Sequence, residues 1–174
     1  MVTNVILVDE NDNQIGTEEK IKAHQNGGRL HRAFSVFVFN SKGETMLQKR
    51  AETKHSAKNI WSNTCCSHPY PNEATITAAR RRLKEEMGFD CNLKEAFHFT
   101  YRADVGEGLT EHEYDHVFFG FYDKEPKPDP KEVGDWKWIS LPELKKEISK
   151  DPKKFSPWLV ISINRVTEAY EEMQ

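Results

Sequence analysis

A thiol and an imidazole stand two residues apart within residues 61–69, where Cys66 precedes His68. If this stretch is a strand, both side chains project from the same face, because Cβ directions alternate along a strand. A nearby imidazolium or metal ion favours the thiolate form of a cysteine and makes its sulfur reactive. The spacing therefore indicates a chemical site, which only one of the adjacent Cys65 and Cys66 can face.

The helix predicted next, from Asn72 to Met87 with Asn72 as its N-cap, ends in two adjacent carboxylates, Glu85 and Glu86. The helix dipole disfavours anions in the last turn, so these residues break a local rule without a local gain. Adjacent glutamates of this kind are suitable oxygen ligands for a hard divalent cation. Glu86 is the better candidate for a half-buried site residue, because it borders the predicted apolar stripe of Ile76, Ala79, Leu83 and Met87.

The same turn also fits an ordinary solvent-exposed helix face. Arg81 and Arg82 precede Glu85 and Glu86 by four residues. They would form two i,i+4 ion pairs, each stabilising the helix by about 0.2–0.5 kcal/mol. Surface pairs of this kind are common, and the helix taken alone favours this interpretation over a metal site.

A second acidic cluster opens the strand predicted at residues 111–122. Alternate side chains of this strand face the same way as its core positions, and three of them are carboxylates: Glu111, Glu113 and Asp115. Buried charge has to be paired or metal-bound, so this end of the strand is a further candidate for the site. His112 and His116 point the other way, and we expect them on the surface or packed there.

The elements that must position these residues indicate one α/β unit without repeats or low-complexity linkers. Apolar residues on both faces of the run Ala33–Asn40 predict a central strand. The other predicted strands are Val2–Val8, Thr45–Arg50, Ala96–Tyr101 and Trp136–Ile139. The other predicted helices are Glu18–His24, Leu141–Ser149 and a last one from Ser156 to about Glu172, and a loop is expected at residues 106–108. We expect a single domain spanning residues 1–174.

Composition excludes several classes of function. The net charge is −3, which gives no reason to expect nucleic acid or an anionic membrane as a partner. No apolar run approaches the roughly 20 residues of a membrane span, and the first residues lack the pattern of a secretory signal. Three cysteines form no disulfide framework, so reduced thiols and a cytoplasmic location are expected.

Residues 67–89 resemble the Nudix box, G-x5-E-x7-R-E-U-x-E-E-x-G-U, in which U is apolar. Two positions differ: Ser67 replaces the first glycine and Arg82 replaces the first glutamate of the R-E pair. Nudix hydrolases use the clustered glutamates to hold metals that activate water. Arg82 removes one such ligand and adds a phosphate-binding cation. The resemblance implies a Nudix-type α/β/α sandwich around a mixed β-sheet, with a site that holds a diphosphate rather than cutting it.

Separated motifs elsewhere resemble the type I isopentenyl-diphosphate isomerases, a Nudix-fold branch that interconverts isopentenyl and dimethylallyl diphosphate. The motifs are residues 29–35, 61–69, 111–113 and 155–158. The resemblance implies a single Nudix-fold isomerase domain of isoprenoid biosynthesis. Its expected partner is a small prenyl diphosphate, with no nucleic acid and no membrane. A monomer is expected, and a dimer remains open.

The resemblance also implies the residues that bind metals and substrate. One octahedral site, suited to Mn²⁺, Zn²⁺ or Mg²⁺, would be formed by His24, His31, His68, Glu111 and Glu113. A second ion, Mg²⁺, would bridge Glu86 and the diphosphate, and Cys66 is also counted among the metal-site residues. The implied diphosphate-binding cations are Lys20, Arg50, Lys54 and Arg82. Without the resemblance, His24 and His31 would be assigned to the surface.

The implied mechanism moves a double bond by one carbon through a carbocation-like state. Cys66 and Glu113 would be the acid/base pair on opposite faces of the substrate, and Tyr101 would assist proton delivery on the Glu113 side. Trp158 would offer its ring face to the cationic carbon, a contribution of about 2 kcal/mol or more when desolvated. A purely structural role for Trp158 in the core is the alternative.

Two other functions remain in view at this point. A Nudix hydrolase of a nucleoside diphosphate would share the fold and the Glu85–Glu86 pair, but Arg82 counts against it and Cys66 would have no role. A non-catalytic module that binds a metal or ligand would need only a stable His/Glu site. In such a module, Cys66→Ser would leave ligand affinity largely intact.

Overall fold

The computed structural model describes residues 4–174. Within these residues nine strands form one mixed sheet. In chain order they are β1 (Asn4–Val8), β2 (Gln14–Glu19), β3 (His31–Phe39), β4 (Glu44–Arg50), β5 (Trp61–Ser62), β6 (Cys65–Ser67), β7 (Leu93–Gly106), β8 (Leu109–Phe121) and β9 (Val133–Ser140). The helices are α1 (Lys20–His24), α2 (Thr75–Met87), α3 (Leu141–Lys150) and α4 (Pro157–Met173). No helix in this part of the chain is long and apolar enough to cross a membrane.

Strand β3 is the centre of the sheet, as its apolar faces predicted. It runs parallel to β8, with His31 opposite Glu113, and antiparallel to the short β6, with Ser35 opposite Cys66. Directly opposed residues in a sheet present their side chains on the same face. This register brings the thiol of β6 and the carboxylates of β8 to one face, on either side of β3.

Helices cover both faces of the sheet and confirm the predicted α/β/α sandwich. On one face, Leu83 and Met87 of α2 belong to a core cluster with Val36 and Val38 of β3. On the other face, the apolar sides of α3 and α4 join a cluster with Phe37 of β3. Alternate residues of β3 thus serve the two cores, which is why this strand is apolar throughout.

The start of α2 corrects the sequence prediction. The helix begins at Thr75, and Asn72 is not its N-cap but takes a left-handed conformation with φ of 66°. Glu73 is drawn out of the helix, because its carboxylate accepts a hydrogen bond from the Tyr70 backbone N–H at 2.8 Å and pairs with Arg81 through both oxygens. The ion pair between Glu73 and Arg81 therefore holds this loop against the helix.

The predicted apolar stripe of α2 needs one correction, and its end is confirmed. Ile76 is 41% exposed, whereas Ala79, Leu83 and Met87 are fully buried. The helix ends where predicted, with Gly88 in the left-handed C-cap position at φ 75°. A Cβ at Gly88 would lie 2.1 Å from the carbonyl oxygen of Lys127, so the loop between β8 and β9 packs against this turn too closely for any other residue.

Several other boundaries differ from those predicted. Glu18 and Glu19 belong to β2 rather than to the first helix, because they pair with Val5 and Asn4 of β1. Strands β7 and β8 are both longer than expected and form one continuous hairpin, in which Gly106 pairs with Leu109 and the predicted loop is reduced to a turn at residues 107–108. The predicted first strand began at Val2, and residues 2–3 lie outside the described range.

Candidate active site

Five buried side chains converge at one end of the central strands. Their ligand atoms all lie within 4.8 Å of one another, and the residues are His24, His31, His68, Glu111 and Glu113. They come from α1, β3, the residue after β6, and β8. The structure thus brings together the whole set that the resemblance implied. No stretch of sequence spacing could have assembled it, because His24 and Glu111 are 87 positions apart.

The imidazoles of this cluster are oriented from behind by backbone carbonyls. His24 Nδ1 lies 2.6 Å from the carbonyl oxygen of Lys20, and His31 Nδ1 lies 2.8 Å from that of Arg29. A carbonyl only accepts, so Nδ1 carries the proton in both rings and Nε2 faces the cluster. This backbone support is the arrangement that metal-ligating histidines use to fix their rings.

The inward-facing nitrogen and oxygen atoms are crowded together, which fits a cation between them. The Nε2 atoms of His31 and His68 lie 3.2 Å apart, and Glu113 Oε1 lies 3.0 Å from His68 Nε2. Burial, together with His31 and Lys20, holds the pKa of His68 well below its usual range, so this ring is neutral. Three imidazoles and two carboxylates form a donor set for a divalent transition metal or Mg²⁺.

Cys66 faces the same space from the neighbouring strand. Strand β6 buries Cys65 completely in the α2-side core and turns Cys66 into the cavity, as alternation predicted. Arg50 Nη1 lies 3.7 Å from Cys66 Sγ. Burial raises the pKa of the Cys66 thiol to about 12, although Arg50 acts in the opposite direction. The cysteine is therefore a thiol at neutral pH, not the thiolate that its proximity to an imidazole suggested.

Glu113 is held in the ionised form. Burial acts to raise its pKa, but contacts with His31, Glu111 and Tyr101 outweigh burial and lower the pKa to about 2. Tyr101 donates its phenolic O–H to Glu113 Oε2 at 2.8 Å. Burial and the Glu113 charge raise the pKa of Tyr101 well above its usual range, so the phenol keeps its proton. Glu113 thus has one oxygen toward the histidines and one toward Tyr101.

A cavity of about 830 Å³ connects these groups with a ring of cations. Cys66, Tyr101, Glu113 and Trp158 all line it. Its wall also includes the four basic residues that the resemblance implied: Lys20, Arg50, Lys54 and Arg82. Burial is the main cause that lowers the pKa of Lys20, and the charges of the other three cations add to it, while Glu111 opposes it. An anionic ligand in this cavity would relieve the repulsion among the cations.

Glu86 lies behind these cations. It is 1% exposed, and its carboxylate accepts hydrogen bonds from Gln48 Nε2 at 2.9 Å, Lys54 Nζ at 3.0 Å and Arg82 Nη2 at 2.7 Å. Burial acts to raise its pKa, but Lys54 and Arg82 lower it, so the carboxylate is charged. The surface-pair interpretation of the Arg82–Glu86 contact is therefore wrong. Within residues 4–174, Glu86 is not part of the cavity wall.

Trp158 combines the two roles considered for it. The residue is buried, and its indole N–H is anchored by Ser62 Oγ at 3.1 Å and Asn63 Oδ1 at 3.0 Å. The ring also lines the cavity, with the Arg50 guanidinium carbon 5.2 Å from its centroid. The polar edge of the indole is thus satisfied in the core, while the ring lines the cavity beside the Arg50 guanidinium.

Sequence reasoning missed three residues that belong to this region. Glu132, in the loop before β9, lines the cavity and contacts both Lys54 and Arg82. Gln48 holds Glu86, and Ser35 donates to the buried Asp115 at 2.7 Å. Asp115 had been noted as an inward-facing acid and Ser35 stands in the motif of residues 29–35, but nothing marked Gln48 or Glu132. Burial and Glu113 raise the pKa of Asp115 well above its usual range.

His112 and His116 lie away from the site, as predicted. His112 Nδ1 is 3.2 Å from the carbonyl oxygen of Gly28. His116 lies between two carboxylates, with Nδ1 2.6 Å from Glu95 Oε1 and Nε2 2.8 Å from Asp12 Oδ2. Alternation along β8 therefore separates the site residues from the histidines between them.

The fold and this site define a Nudix protein, and residues 29–159 match the NUDIX domain family. The structure is similar to that of DR0079 from Deinococcus radiodurans, with a TM-score of 0.78 and 18% identity over 93% of this chain and 98% of that one. It is also similar to a MutT protein from Methanosarcina mazei Go1, with a TM-score of 0.66 and 17% identity over 80% and 94% of the two chains. At these identities the similarity establishes the fold alone.

Sequence relatives define the branch. The chain is 55% identical to isopentenyl-diphosphate Delta-isomerase 2 of Aromatoleum aromaticum over 95% of its length and 87% of the relative. It is 51% identical to isopentenyl-diphosphate Delta-isomerase 1 of the same organism, over 99% of this chain and 97% of the relative. The isopentenyl-diphosphate Delta-isomerase of Serratia proteamaculans is 45% identical to this chain, over 90% of this chain and 87% of the relative. The chain belongs to the isopentenyl-diphosphate Delta-isomerase family, as the sequence motifs predicted.

Proposed function

We propose that residues 1–174 act as one catalytic domain that isomerises isopentenyl diphosphate to dimethylallyl diphosphate in isoprenoid biosynthesis. The observation that carries this proposal is the placement of Cys66 and Glu113 in one cavity, on strands that flank β3. Two proton-transfer groups facing a shared space are what the movement of a double bond requires. The names of the relatives support the same activity.

The cations of the cavity bind the diphosphate end of the substrate. Lys20, Arg50, Lys54 and Arg82 offer ammonium and guanidinium donors to phosphoryl oxygens, and charge-assisted hydrogen bonds of this kind are the strong ones. Binding by remote groups fixes the position of the five-carbon chain relative to Cys66 and Glu113. The hydrocarbon part of the substrate then lies against the apolar side of the cavity, where Tyr101 and Trp158 present their rings.

The chemical step exchanges one proton for another. A proton added to the terminal methylene carbon leaves a tertiary cation, and loss of a proton from the carbon on the other side forms the new double bond. Cys66 and Glu113 are the donor and acceptor, and they exchange roles when the reaction runs in reverse. The raised pKa of the Cys66 thiol and the lowered pKa of Glu113 support a starting state in which the thiol carries the transferable proton and Glu113 is ionised. Tyr101 holds the Glu113 carboxylate in place through its hydrogen bond. Because its pKa is raised, the Tyr101 phenol stays protonated on the Glu113 side of the substrate.

The cationic intermediate needs protection. Water beside a tertiary cation would trap it as an alcohol, so the buried positions of Glu113 and Trp158 and the half-buried position of Cys66 are part of the mechanism. The face of the Trp158 ring stabilises positive charge by a cation–π interaction of roughly 2 kcal/mol when desolvated. The Trp158 indole N–H, fixed by Ser62 and Asn63, keeps that face toward the cavity.

The His/Glu cluster would hold a divalent ion, for which Mn²⁺, Zn²⁺ and Mg²⁺ are all chemically suitable. When bound, such an ion supplies positive charge that orients Glu113 and lowers its proton affinity. Glu86 could take a Mg²⁺ shared with the diphosphate only by exchanging part of its contacts with Lys54 and Arg82 for the ion. Cys66 acts in this account through its thiol proton.

A product analysis separates this proposal from a hydrolase. Isopentenyl diphosphate is incubated with the protein and Mg²⁺ or Mn²⁺, and the products are followed by proton and phosphorus NMR. Formation of dimethylallyl diphosphate with the diphosphate intact supports the isomerase. Release of inorganic phosphate or pyrophosphate, or cleavage of nucleoside diphosphates, would support the hydrolase instead. Arg82, at the position of a Nudix metal ligand and paired with Glu86, favours the first result.

A further inference from the structure

Two carboxylates share the two cations at one end of the cavity. Lys54 Nζ lies 3.0 Å from Glu86 Oε1 and also binds Glu132 Oε2. Arg82 Nη2 lies 2.7 Å from Glu86 Oε1 and 3.3 Å from Glu132 Oε1. Lys54 and Arg82 thus each bridge the same pair of acids. Two of the four proposed diphosphate-binding cations are therefore already paired with anions of the protein itself.

The two acids differ in how firmly they are held. Glu86 is 1% exposed on α2 and is fixed from a third side by Gln48. The Glu132 side chain is 27% exposed and lines the cavity. Its backbone is anchored, since its carbonyl accepts from the Ala51 N–H at 3.1 Å. Glu86 therefore belongs to the scaffold of the site, whereas the Glu132 carboxylate can leave the cations by rotation of its side chain alone.

We propose that Glu132 occupies part of the diphosphate position when no substrate is bound, and that the substrate displaces it from Lys54 and Arg82. Carboxylate and phosphoryl oxygens take the same donors, so the two anions compete for them. The inference rests on the proposed function, because it concerns the phosphate end of that substrate. Glu132 is then an affinity-setting residue: it keeps the cations neutralised and in place, weakens diphosphate binding and speeds release of the equally charged product.

The direct test is the affinity of Glu132→Gln for inorganic pyrophosphate in the presence of Mg²⁺, measured by titration calorimetry. Removal of the competing charge should tighten binding by about threefold to tenfold, and the KM for isopentenyl diphosphate should fall in parallel. Glu132→Asp keeps the charge but shortens the side chain. Its affinity for pyrophosphate should lie between those of the parent protein and Glu132→Gln. Glu52→Gln makes the same charge change at an exposed position nearby and should leave the affinity unchanged.

Unchanged or weaker pyrophosphate binding by a folded Glu132→Gln would overturn the inference, because Glu132 would then support the anion site rather than compete for it. Equal tightening in Glu52→Gln would also overturn it, since the effect would be one of general charge. Pyrophosphate binding does not depend on turnover. Tighter binding by Glu132→Gln in a protein that does not isomerise isopentenyl diphosphate would therefore refute the proposed function and leave the competition intact.

Discussion

Tyr101 and Glu113 are directly opposed across strands β7 and β8, and the phenol donates to the carboxylate at 2.8 Å. The pairing is set by backbone register, so the phenol is held in place by the sheet and not by a mobile loop. The other oxygen of Glu113 lies 3.0 Å from His68 Nε2. The Glu113 carboxylate thus connects the histidine cluster to the protonated phenol of Tyr101. We propose this carboxylate as the general base of the reaction.

Tyr101→Phe should lower kcat by roughly 10- to 150-fold, because it deletes one hydrogen bond of about 1.5–3 kcal/mol to a charged group. The ring and its stacking on Phe99 remain, so the melting temperature should change little. Steady-state kinetics and thermal melts check both parts. A variant with full activity would show that the Tyr101 hydroxyl has no part in proton transfer.

The two adjacent cysteines should respond in opposite ways to truncation. Cys66→Ala removes a proton-transfer partner and should reduce kcat by about 10²- to 10⁴-fold with the fold intact. Cys65→Ala removes a thiol from the core and should lower the free energy of unfolding by about 1 kcal/mol with activity retained. Kinetics and denaturant unfolding of the matched pair measure this. An inactive Cys65→Ala beside an active Cys66→Ala would reverse the assignment.

Removal of divalent metal should reduce both activity and stability. A ligand that binds only the folded state at 100 times its Kd adds about 2.7 kcal/mol to the free energy of unfolding. Chelation should therefore lower the melting temperature, and the metal should restore it. His24→Ala removes one of the five converging groups and should weaken this response. A melting temperature that changes neither with chelator nor with added metal would contradict a metal site in the cluster.

Short sequence patterns were sufficient to predict those parts of the fold that depend on residues close together in the chain. Apolar residues on both faces of β3 predicted a central strand, and Gly88 predicted the end of α2. The wheel position of Glu86 predicted partial burial, and the structure buries the residue fully. The start of α2 was missed because Asn72 has the right type for a cap, while the tertiary contact between Arg81 and Glu73 decides where the helix begins.

The site itself could be predicted only in part. Cys66 and His68 follow from strand alternation, and Glu111 and Glu113 follow from acids in line with core positions. His24 had no local signal, because its role depends on a fold that brings it to Glu111 from another element. The family resemblance supplied it. Glu132 is outside every motif, and only the structure joins it to Lys54 and Arg82.

In the proposed reaction Cys66 and Glu113 add and remove protons on the two sides of the alkene. Proton NMR of isopentenyl diphosphate with the protein and Mg²⁺ in D₂O tests these roles. We expect dimethylallyl diphosphate that carries deuterium, and loss of this product in both Cys66→Ala and Glu113→Gln. Dimethylallyl diphosphate without deuterium, or an unchanged rate of deuterium incorporation in either variant, would contradict these roles.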